Sequence, residues 1–138
     1  MEISAVNYLA VVAGALVFWI IGALWYSPVL FGKRWQKEIG IPKESISKAN
    51  MAMVFGLSFV LMLVMVFGMA LILTLYTPEE VTWSSGLCLG GRTGLLFAMA
   101  TMGINYLYQR RSLVLWLIDG IYMIIGLGAA GIILGAWN

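Results

Sequence analysis

The chain has 138 residues, 62% of them hydrophobic and only 10% charged, with a net charge of +2. A soluble domain of this size carries about 25% charged residues, so the composition excludes an ordinary water-soluble fold. The small net charge, with basic residues set beside apolar segments rather than in one patch, speaks against nucleic acid as a partner.

Four long apolar stretches follow one another along the chain. Their lengths predict helices over about 5–27, 51–76, 78–108 and 113–137, joined into a single transmembrane domain 1–138. Each is long enough to cross a hydrocarbon core of about 30 Å at 1.5 Å per residue. Backbone polar groups in lipid must be satisfied within the segment, which makes each stretch a helix. The expected fold is all-α, an integral membrane four-helix bundle.

The first connection has a pattern of its own. Phe31, Trp35 and Ile39 recur every four residues, with Lys33, Arg34, Gln36, Lys37 and Glu38 between them. That spacing predicts a short amphipathic helix lying on the headgroups, ended by Gly40. The second connection, Thr77-Pro78-Glu79-Glu80, matches a capping box with Thr77 as N-cap and Glu80 reaching back, and so predicts the start of the third long helix.

Charge orients the bundle. Lys33, Arg34, Lys37, Lys43 and Lys48 lie in the first connection and Arg110 and Arg111 in the third, whereas the second carries only Glu79 and Glu80. Basic loops collect in the cytoplasm, so both termini are expected outside. Aromatic residues near the helix ends suit the interfaces: Tyr8, Tyr76, Trp83 and Trp137 on the outer side, Trp25, Tyr26, Tyr106, Tyr108 and Trp116 on the inner. Trp25, Tyr26 and Trp35 are the expected inner anchors.

Gly86, Gly90, Gly94 and Ala98 form a row of small side chains four residues apart. Such a row lets another helix come close, within the chain or between copies of it. Asn105 lies near the same face by helical angle. Arg92 and Asp119 are the formal charges inside the spans, where a charge is costly and marks a position to examine. They differ in depth by roughly 13 Å and their side chains diverge, which argues against an ion pair. Thr101, Asn105 and Tyr106 lie nearer the depth of Asp119. Arg92, Asp119, Thr101 and Asn105 are therefore the candidates for a polar path. One cysteine, Cys88, and no histidine leave no internal disulfide and no common zinc pattern, and neither a metal nor a cofactor is expected.

Several segments resemble a known family. They are Asn7-Tyr8-Leu9-Ala10-Val11, Gly22-Ala23-Leu24-Trp25-Tyr26-Ser27-Pro28 with Leu30-Phe31-Gly32-Lys33 and Trp35, Asn105-Tyr106-Leu107-Tyr108, and Leu115-Trp116-Leu117-Ile118-Asp119-Gly120 with Tyr122. The chain resembles the bacterial domain of unknown function 1761 family across nearly its whole length. The resemblance implies a small multi-pass protein of a bacterial inner membrane. It brings no activity and no catalytic residue, and Arg92 is outside the shared segments. The functional expectation is a homo-oligomeric transporter or channel subunit. The alternative is a structural or accessory protein binding a larger complex or anionic lipid. With no convincing nucleophile–base pair, an enzyme is not expected. Membrane lipid and further copies of the chain are the expected partners, and any other protein partner is unknown.

Overall fold

The computed structural model describes residues 1–42, 44–45 and 50–138. Lys43 and Lys48, counted among the basic residues of the first connection, lie outside the described residues. The described residues are helical or irregular, with no strand among them. The long helices are α1 (Tyr8–Trp25), α3 (Met51–Leu73), α4 (Trp83–Tyr108) and α5 (Leu113–Ala136), with a short helix α2 (Gly32–Ile39) after α1. All four long helices have the length and apolar composition to cross a membrane.

The helix ends are set by local hydrogen bonds. Asn7 caps α1 by accepting from the Ala10 amide at 3.1 Å, and Asn50 caps α3 by accepting from Met53 at 3.2 Å. After Leu73 the amides of Thr74, Leu75 and Tyr76 bond three residues back, a tightened turn that closes α3 before Tyr76. Gly40 ends α2 with φ +69°, a left-handed conformation that glycine adopts at no steric cost.

The start of α4 differs from the capping-box expectation. Glu80 does reach back to the Thr77 amide, at 2.8 Å, but the bond closes an isolated turn. The chain extends again at Thr82, with φ −130° and ψ 166°. A second, reciprocal box then starts the helix: Thr82 accepts from the Ser85 amide at 3.2 Å, and the Ser85 hydroxyl accepts from the Thr82 amide at 2.9 Å. Of the two, only the Thr82–Ser85 pair is reciprocal, and it opens α4.

Helix α5 is the axis of the bundle. More than half of it is buried, against less than a third of each other long helix. It packs on α4 along one side and on α1 along the other; α3 packs mainly on α1 and barely meets α4. The α4–α5 contact is backbone against backbone. A Cβ added to Gly86 would stand 1.9 Å from the Gly131 carbonyl oxygen, one at Gly90 2.0 Å from that of Leu127, and one at Gly135 2.0 Å from that of Thr82. Gly94 fits against the Ile124 backbone in the same way. The small-residue row is thus used inside the chain. On the other side of α5, Phe18 fills the notch at Gly126, and Tyr122 fills the notch at Gly22.

Along α4 the seven residues Thr93–Met99 are wound as a π-helix. The inward row runs Gly86, Gly90, Gly94 and then, one residue late, Met99. Ala98, the expected fourth member, is only partly buried. The Trp116 indole donates to the Met99 carbonyl at 2.8 Å and pins this wide turn to α5.

The close contact predicts a sharp contrast between neighbouring glycines. Gly90→Ala should destabilise the detergent-solubilised protein by about 1–3 kcal/mol through overpacking. Gly91→Ala meets nothing within 4 Å and should leave the thermal midpoint unchanged or slightly raised. Thermal unfolding of the two variants side by side checks it.

Candidate functional site

Asp119 is the only charged or polar residue buried among the described residues, with 8% of its surface exposed. It sits two turns into α5, whose start is fixed by Ser112: the Ser112 hydroxyl accepts from the Leu115 amide at 3.0 Å. At 1.5 Å per residue this places the carboxylate roughly 10 Å from the helix start.

Three helices converge on it. Tyr26, the last residue capping α1, donates its hydroxyl to Asp119 Oδ1 at 2.6 Å, and Tyr106, near the end of α4, donates to Oδ2 at 2.5 Å. Two oxygens and two hydroxyl donors are a matched set. Around them lies an aromatic shell. Tyr122 meets the Tyr26 ring at 5.4 Å and donates to the Phe18 carbonyl at 2.8 Å. Trp25 donates its indole N–H to the Ile118 carbonyl at 3.0 Å and lies against Phe31 at 4.4 Å. Trp35, on α2, meets the edge of Tyr26 at 5.6 Å.

The three expected anchors also have partners within the chain: the polar ends of Trp25 and Tyr26 are bonded to α5, and Trp35 stands edge-on to Tyr26. The four candidates for a polar path are not brought together. Arg92, Thr101 and Asn105 are exposed on the outer side of α4, whereas Asp119 is buried. Arg92 lies between the inward Gly90 and Gly94 and so points away from α5, and for Thr101 and Asn105 the π-helix is the reason. It advances the inward face by one residue, so Tyr106 takes the place that an unbroken α-helix would give Asn105. In the sequence Tyr26 and Tyr106 read as inner-interface rings within the family segments, Tyr106 also as a residue of suitable depth, but neither as a hydrogen-bond partner of Asp119.

The surface helix is fastened to the same end. Glu38 of α2 accepts from the Ser112 hydroxyl at 2.5 Å and pairs with Arg34 at 2.9 Å. The Ser112 hydrogen bond, followed by the Arg34 pair, holds the Glu38 carboxyl below the usual carboxylate range against the opposing effect of desolvation. Gly32 seats the start of α2 under the end of α1: a Cβ there would stand 2.3 Å from the Tyr26 carbonyl oxygen.

At the opposite end a cleft of about 190 Å³ opens among Asn7, Thr74, Tyr76 and Leu134. Two of its polar side chains have partners. Asn7 donates to the Trp137 carbonyl at 2.8 Å, and Thr74 donates to the Leu71 carbonyl at 2.7 Å. The cleft ties the chain ends together and carries less chemistry than Asp119.

Four helices long and apolar enough to cross a lipid bilayer define a multi-pass membrane protein. The model of a family described as protein of unknown function (DUF1761) matches residues 9–135, and the chain belongs to that family. No curated protein and no solved structure matches it. Three of the four segments that carry the resemblance meet at this site, through bonds or ring contacts among Trp25, Tyr26, Trp35, Tyr106, Asp119 and Tyr122, whereas the segment that begins at Asn7 lies at the other end.

Two measurements follow. Asp119→Asn should still fold, because its amide can donate to a tyrosine oxygen that turns to accept, whereas Asp119→Leu orphans both hydroxyls and should cost about 1–3 kcal/mol or more; thermal unfolding in detergent separates them. A carboxyl depressed by native contacts stabilises above its ordinary value, and that contribution is lost as pH falls through the lowered one. The seating of α2 should therefore loosen on acidification below the usual carboxylate range. Acrylamide quenching of Trp35, taken as the difference from Trp35→Phe, should rise there, and Glu38→Gln should remove the pH dependence.

Proposed function

We propose that the protein is a transport subunit of the bacterial inner membrane in which Asp119 binds the transported or coupling cation, a proton in the simplest case. The observation that carries the reading is the buried carboxylate held by Tyr26 and Tyr106 from two neighbouring helices. A charge is kept inside a membrane bundle at a cost, and a protonatable group with two hydroxyls as first relay partners is a common use of it. We assign the basic end to the cytoplasm, so Asp119 loads from that side.

A homo-oligomer completes the path. Within one copy, Phe18, Val66, Met69, Leu127 and Ala130 close the core between Asp119 and the far end. Arg92 and Thr101 face out of the bundle part-way along α4, and Asn105 does so near its end. Polar side chains there suit a boundary between copies better than a boundary with lipid. We assign no covalent reaction to the site.

Reconstitution tests this. Proteoliposomes loaded with a pH-sensitive dye should show an imposed proton gradient dissipating faster than empty vesicles, and Asp119→Asn, which retains its fold, should reduce that flux by at least tenfold. Equal flux in the variant, or none from the wild type for protons, sodium or potassium, rejects the reading. The tight backbone packing of α4 on α5 favours a second reading, a rigid accessory subunit of a larger complex. Co-purification of one partner in fixed ratio, without flux, would support it.

A further inference from the structure

Two basic loops far apart in sequence are joined into one surface. The Glu38–Ser112 bond spans 74 positions and sets the second half of α2 against the turn between α4 and α5. Lys37 stands next to Glu38, and Arg34 one turn before it; Arg110 and Arg111 immediately precede Ser112. Lys33, Arg34, Lys37, Arg110 and Arg111 are all exposed. The Arg34 side chain is 53% exposed while its Nε bonds Glu38, and Arg111 lies over the Tyr106 ring at 5.9 Å.

Apolar side chains accompany the cations. Val29, Leu30 and Phe31 are exposed just before α2, and Leu107, Tyr108 and Leu113 flank the arginine turn. Cations among exposed apolar residues at the end of spanning helices sit where lipid phosphates lie.

We propose that this joined surface is a binding site for the headgroup phosphate of an anionic phospholipid, with α2 as a preformed half of it. Charge complementarity and the apolar border select a lipid over a free anion. The frame is rigid before the lipid arrives. Gly32 sits under the α1 end, Trp35 lies against Tyr26, and Glu38 is held by Ser112. A site held ready loses less ordering entropy on binding. The proposal stands whether or not Asp119 takes part in transport.

Native mass spectrometry of the detergent-purified protein, with phosphatidylglycerol or phosphatidylcholine added at equal concentration, tests it, with thermal stabilisation as a second readout. Phosphatidylglycerol should be retained selectively. The triple variant Lys33→Gln, Lys37→Gln, Arg110→Gln leaves the frame bonds intact and should lose that retention by roughly tenfold or more. Glu38→Ala is the discriminating variant. If cations acted only by total charge, removing an acid would strengthen binding; a preformed site requires binding to weaken. Equal retention of the two lipids, retention unchanged in the triple variant, tighter binding by Glu38→Ala, or the same stabilisation from inorganic phosphate would each overturn the proposal.

Discussion

The approach of α4 to α5, backbone on backbone, is the contact on which the rest of the molecule depends. In lipid, helices gain nothing by hiding apolar side chains from each other, so association comes from close packing and from hydrogen bonds between helices. Gly86, Gly90 and Gly135 supply the first by bringing carbonyl oxygens to where a Cβ would stand. With α4 held so near, a hydroxyl on α4 can reach a carboxylate on α5. The same economy appears on the α1 side, where the notches at Gly22 and Gly126 admit the rings of Tyr122 and Phe18.

The bond between Asp119 and its two tyrosines then serves as the second source of association. It ties α1, α4 and α5 together at one end, while the glycine contacts run towards the other. The site is consequently both a fastening and the most chemically capable point in the bundle. Trp35 and Glu38 extend it to the membrane surface, since α2 touches Tyr26 directly and shares Ser112 with the start of α5. Events at the surface and at the buried carboxylate are mechanically adjacent through these contacts.

The π-helix in α4 shows how one residue redirects a site. Gly94 to Met99 is a five-residue step in the inward row, and the residues beyond it are rotated with respect to those before. Thr101 and Asn105, whose positions suggested neighbours for Asp119, turn outward. Tyr106 turns in. A wide turn of this kind changes neither the apolar run nor the length of the span, so hydropathy carries no trace of it. The start of α4 was obscured for a different reason: Thr77–Glu80 carries the threonine-to-glutamate signature but makes only the glutamate half of the box, whereas Thr82–Ser85, with serine in the glutamate's place, makes both bonds and continues into a helix.

The amino-acid sequence by itself determined the spans, the pairing of basic loops at one end, the amphipathic α2 with its Gly40 stop, and the glycine row of α4. These are local matters of length, charge and periodicity, which the chain expresses wherever it is read. Tertiary structure alone decided which partners those features meet. It bonded the polar ends of Trp25 and Tyr26 to α5, gave Asp119 its two hydroxyls, and joined loops 74 positions apart through Glu38 and Ser112. The physical reason is the solvent. Against hydrocarbon, the buried and lipid-facing sides of a helix are equally apolar, so composition does not distinguish them, and the close fit of backbones chooses the inward side.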